Sequence, residues 1–121
     1  PGWGGKCYGA SVLERMQHFG YTGLGASEVI AFYNDPKKAV ASWMETLYHR
    51  IPFVSPSTES MGYGSAGEGI NAIDVIDFGT GKSKNKDAVI FYPFDGQKNV
   101  PKSSTSLSSI ILHCPYSPTG E

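Results

Sequence analysis

The stretch from Asp35 to Leu47, DPKKAVASWMETL, constrains the fold of this chain most. An Asp placed just before a helix accepts hydrogen bonds from its first free amides, and Pro36 at the first helical position needs no donor of its own. Ala39, Val40, Trp43, Met44 and Leu47 then recur at helical spacing. They predict a helix with one core-facing stripe and Trp43 inside. Pro52 predicts that this helix ends by about Arg50 or Ile51. An apolar stripe on one side requires a second layer to cover it. With 121 residues, 40% of them hydrophobic and 17% charged, the chain has material for one such domain and its core.

The flanking sequence supplies the other elements. Ser11 and Glu14 match a capping box, Val12, Leu13, Met16 and Phe19 recur at helical spacing, and Gly20 suits a left-handed helix end. A short amphipathic helix over 12–19 is predicted. Between 21 and 34, the run Val29 to Tyr33 reads as a short strand or an ordered loop. Met61–Gly64, Ala72–Phe78 and Ala88–Tyr92 are short apolar or alternating runs and read as strands, the last two forming an antiparallel hairpin through a turn at 80–87. Helices first and a small antiparallel sheet later predict an α+β or layered αβα domain. Residues 102–121 are rich in Ser and Pro, and only Leu107 and Ile110–Leu112 are expected to pack there.

Several functions are excluded. The formal net charge is −1, from 10 basic and 11 acidic residues, so no basic excess exists to neutralise a phosphate backbone and nucleic acid is not an expected partner. Lys82, Lys84 and Lys86 lie in a polar turn. Gly62-Tyr63-Gly64-Ser65-Ala66-Gly67 fits Gly-x-Gly-x-x-Gly, but the following Ile70–Phe78 reads as strand, whereas a dinucleotide loop opens a helix. Gly81-Lys82-Ser83 lacks the upstream Gly of a phosphate loop, because position 76 is Ile. Ser65 lacks the Gly two residues before it that a nucleophile elbow requires. Cys7 and Cys114 are too few for a disulfide framework. There is no transmembrane run and no signal-peptide pattern.

One constellation survives. Glu45 and His49 are four apart, so on a continuous helix they share a face distinct from that of Trp43 and Leu47. A His near a helix C-terminus is favoured by the dipole, and a His beside a carboxylate can also bind a cation or move a proton. Arg50 is expected to tether a carbonyl or an acid. His18, Glu59 and Glu68 are expected to face solvent, and His113 falls in the tail.

At these residues the chain resembles the CAP superfamily of cysteine-rich secretory, antigen 5 and pathogenesis-related proteins, in its bacterial, SCP-like form. Ser27-Glu28-Val29-Ile30 resembles the family's Gly-Glu-Asn-Ile segment. Trp43 through His49-Arg50 resembles its Trp helix ending in Ser-x-x-His-Arg, and Gly62-Tyr63-Gly64 its Gly-x-Gly strand. Phe19-Gly20-Tyr21 and Tyr92–Gln97 also look like family segments, so that the likeness covers roughly residues 8–101. It implies an αβα sandwich over 1–101, lacking the family's first helix, with a divergent tail at 102–121. It places Glu28 and His49 on two members of a tetrad of two His and two Glu that can hold a divalent cation such as zinc. The other His has no counterpart here. Glu45 stands two residues after Trp43, where the family acid commonly stands three after, at the place of Thr46.

The resemblance implies an extracellular or cell-surface module with a shallow cleft around Glu28, His49 and Glu45. Its implied ligands are small apolar molecules such as lipids or sterols, or a protein partner, with no required cofactor. The rival readings are a cation-assisted hydrolase that uses His49 and Glu28, and an adhesion domain with a vestigial cleft. Glu28 and His49 are expected to lie within reach of one shared water or ion.

Overall fold

The computed structural model describes residues 7–81 and 87–102. Helix α1 (Val12–His18) is capped as its sequence predicts, with the Ser11 hydroxyl accepting from the Glu14 amide and the Glu14 carboxylate returning to the Ser11 amide. Gly20, at φ 95°, turns the chain out of the helix, where a side chain would strain the backbone. Strand β1 (Gly25–Ala31) resolves the strand-or-loop alternative in favour of strand. Asp35 caps helix α2 (Pro36–Glu45) by accepting from the Lys37 and Lys38 amides, a contact of about 1 kcal/mol.

The long helix expected from Pro36 to Arg50 or Ile51 is instead two. Thr46 adopts an extended conformation (φ −106°, ψ 138°) and separates α2 from helix α3 (Leu47–Val54). Its hydroxyl bonds back to the Trp43 carbonyl at 3.3 Å and pairs with the His49 ring at 2.7 Å. Such local side-chain bonds offer the backbone an alternative to continuing the helix. The break removes Leu47 from the stripe, and it is 60% exposed. Pro52 lies inside α3, close to its end, where the Thr58 hydroxyl caps the Pro52 carbonyl at 2.8 Å.

Strand β2 (Thr58–Ala66) follows, then a single 3₁₀ turn (Gly69–Asn71) and strand β3 (Ile73–Thr80). The sheet is antiparallel with order β1-β3-β2. Residues 88–92 form no strand, and no hairpin with β3 exists: β3 is central, with its two edges already paired to β1 and β2. Of the turn expected at 80–87, residues 82–86, and with them the three lysines, lie outside the described residues, as do Leu107, Ile110–Leu112, His113 and Cys114.

The architecture is α+β, with helices on both faces of the sheet. Val29, Ala31, Ile76 and Phe78 point to one face and form the core with Ala39 and Trp43 of α2, against which Phe53 of α3 packs. Trp43 is 2% exposed and donates its indole N–H to the Ile30 carbonyl at 3.0 Å. Phe53 lies edge-on to Phe78, with ring centroids 4.9 Å apart. Helix α1 packs on β1 from the opposite face.

Asp74, with no exposed surface, joins these layers. It accepts the amides of Tyr33, Asn34 and Asp35 at 2.6, 2.7 and 3.0 Å and the Tyr63 hydroxyl at 2.7 Å. Burial alone would raise its pKa, but these four donors outweigh it and hold the carboxyl below its usual range. The same contacts fix Asn34 at φ 49°, from which α2 starts.

Candidate functional site

Strand alternation decides where the candidate residues stand. Glu28 points away from Val29 and Ala31, to the α1 face. There its carboxylate receives the Arg15 guanidinium at 3.0 Å. The register sets Glu28 directly opposite Asp77 of β3, so two carboxyl groups meet beside one arginine. Burial raises the Asp77 pKa to about 6, helped by a hydrogen bond to Glu28 and by repulsion from its charge and opposed by Arg15. On the far side of Asp77, β2 contributes only Gly62, with open space above it.

His49 stands on α3, which packs through Phe53 on the other face of the sheet. Its Nδ1 pairs with the Thr46 hydroxyl. The sheet therefore lies between Glu28 and His49, and the expectation that they share one water or ion is not met. Family position alone motivated it, and the alternation of β1 directs Glu28 to α1. Glu45 and His49 do not share the face of one helix either, because Thr46 breaks the helix between them.

Glu45 instead borders an open groove of about 610 Å³ on the outer flank of α2. Val40, Ala41 and Met44 form one wall, with Lys37 and Glu45 towards its two ends. These positions sit beside the buried stripe of Ala39 and Trp43, so Val40 and Met44 are only half-buried. The other wall comes from the segment after the sheet, through Tyr92, Gln97, Asn99 and Pro101. Arg50 tethers this segment through an aromatic ring rather than a carbonyl or acid: its guanidinium carbon is 4.7 Å from the Tyr92 centroid. Glu59 and Glu68 are exposed as expected. His18 is exposed too, but it stacks on Tyr8 with centroids 4.2 Å apart.

The sequence profile of the cysteine-rich secretory protein family, CAP, matches residues 2–71, more than half of the chain. The chain belongs to this family. No curated protein and no solved structure matches it. Among the described residues, the expected pair Glu28 and His49 does not form a divalent-cation site. Glu28 is neutralised by Arg15, His49 lies across the sheet, and no group of three or more His, Cys, Asp or Glu is placed to hold a metal among the described residues. A catalytic zinc takes three protein ligands.

Sequence reasoning missed Arg15, Asp74 and Asp77. A signal was present: in the otherwise apolar Ile73–Phe78, two acids three residues apart must point to opposite faces of a strand. The pairing of Asp77 with Glu28, 49 positions away in the chain, depends on strand register and has no local signature.

Proposed function

We propose that this CAP domain is a secreted or cell-surface binding module whose ligand site is the groove on the outer flank of α2, and that its ligands are small amphipathic molecules of the lipid class. The observation that carries the reading is the groove itself. Its 610 Å³ falls in the range of small-molecule sites, and it sets an apolar strip of Val40, Ala41 and Met44 among the polar Lys37, Glu45, Gln97 and Asn99. Val40, Ala41, Met44 and Tyr92 suit a hydrocarbon chain, and Lys37 suits an anionic head group. The extracellular setting rests on family membership. Of the two residues assigned to the cleft alongside Glu45, neither Glu28 nor His49 lines this groove. A hydrolase acting through both would need them on one bond, with the sheet no longer between them.

The test is calorimetric titration with laurate, an anionic single-chain amphiphile. Binding is expected, with Met44→Glu weakening it at least tenfold by placing a charge on the apolar wall, and His49→Ala leaving it unchanged. No binding up to millimolar laurate, or equal binding by Met44→Glu, contradicts the proposal.

A further inference from the structure

We propose that Arg50 is a positioning residue for this groove: from α3 it holds Tyr92, and through it the outer wall, at a fixed distance from α2. The inference rests on the groove reading and concerns what gives the groove its width.

The two walls are secured differently. The α2 wall is continuous with the core, because Ala39 and Trp43 on the same helix are 0% and 2% exposed. The outer wall belongs to a segment with its own closed turn. There the Phe94 amide reaches the Gln97 side chain at 3.1 Å, the Gln97 amide returns to the Phe94 carbonyl at 3.0 Å, and Gly96 sits at φ 77°. Among the described residues, no hydrogen bond joins that turn to α2 or α3. A contact that does join the segment to α3 is the Arg50 guanidinium over the Tyr92 ring.

Arg50 is committed to this role. It is half-buried, and its Nε is shut away from solvent without an acceptor. A buried donor left unpaired is costly, so its contact with the ring has to offset that loss. The Thr46 break aims the residue: the Arg50 amide bonds to the Thr46 carbonyl at 3.1 Å, in the first turn of the redirected helix. Had α2 continued straight through Thr46, Arg50 would project on another azimuth.

Laurate affinity of the full chain, measured by calorimetry, tests this with Arg50→Gln, Arg50→Lys, Tyr92→Leu and the Gln/Leu double variant. Arg50→Gln and Tyr92→Leu should each weaken binding about tenfold, the effect expected of one partly desolvated cation–π contact. The double variant should bind no worse than the weaker single, since both remove one contact. Arg50→Lys, which keeps a cation over the ring, should recover most of the loss, as a purely structural arginine would not. Wild-type-like binding by Arg50→Gln, or losses that multiply in the double variant, overturns the proposal while leaving the groove intact. Absence of binding by the wild type overturns the groove reading itself. The near-UV dichroism of buried Trp43 reports folding throughout. If Arg50→Gln loses that signal, the remaining variants decide: the proposal stands if Tyr92→Leu binds weakly and Arg50→Lys binds well, and falls otherwise.

Discussion

On the α2 side of the sheet, Trp43 and Phe78 are 2% and 0% exposed, and Phe53 closes over them. On the α1 side, no residue of α1 is fully buried, and an ion pair, Arg15 to Glu28, links the helix to the sheet beside the carboxyl of Asp77. One face is held by removing apolar surface from water, which is non-directional and large. The other combines the half-buried Val12, Leu13 and Met16 with a charge pair, whose contribution is small at a half-exposed site and depends on pH. The more weakly held face carries Glu28, while the groove opens on the flank of the helix that the strong face anchors.

The sharpest way to break this contrast is in the core. Trp43→Ala or Phe78→Ala should cost about 4 kcal/mol in denaturant unfolding, because a large ring leaves a cavity the neighbours only partly fill. Losses under about 1 kcal/mol would mean that the apolar face is not the source of stability. Next is the joint between the faces: Asp74→Ala strands three amides and the Tyr63 hydroxyl and should cost about 3 kcal/mol by the same measurement. An indifferent variant would show that Asp74 does not organise the entry into α2.

The charged face should respond to pH. The folded-state pKa of Asp77 is raised from 3.8 to about 6, so its contribution is fully present below about pH 4 and is lost as pH rises through about 6. After allowance for solvent screening at this half-exposed group, the loss is about 1 kcal/mol. Thermal midpoints should fall between pH 4 and 7 in the wild type, and Asp77→Asn should flatten that slope. An unchanged slope in the variant would move the titration elsewhere. Arg15→Ala should have the smallest effect, below about 1 kcal/mol at neutral pH. A loss of several kcal/mol would mean that α1 is docked as firmly as α2.

The same division explains what the sequence made legible. The capping box of α1, the Asp35-Pro36 start of α2 and the burial of Trp43 follow from local spacing, and all three are observed. The break at Thr46 was not legible locally, because whether a β-branched residue in a helical run turns its hydroxyl on the backbone depends on what the next helix packs against. Residues 88–92 have strand composition but no free edge to join, a fact of sheet order that no window of sequence contains. The groove is half local and half not: Val40 and Met44 lie in the predicted stripe, while Tyr92 comes from a segment beyond the sheet that Arg50 contacts.

Ligand binding on the flank of α2 and ligand binding on the face that carries Glu28 give different readouts. The three methionines report on this separately: Met16 lies on α1, Met44 in the groove and Met61 on β2. In a ¹³C-methyl methionine spectrum titrated with laurate, the Met44 signal should move in a saturable way while those of Met16 and Met61 stay in place. Movement of Met16 with Met44 unmoved would contradict binding on the flank of α2 and return the ligand to the α1 face.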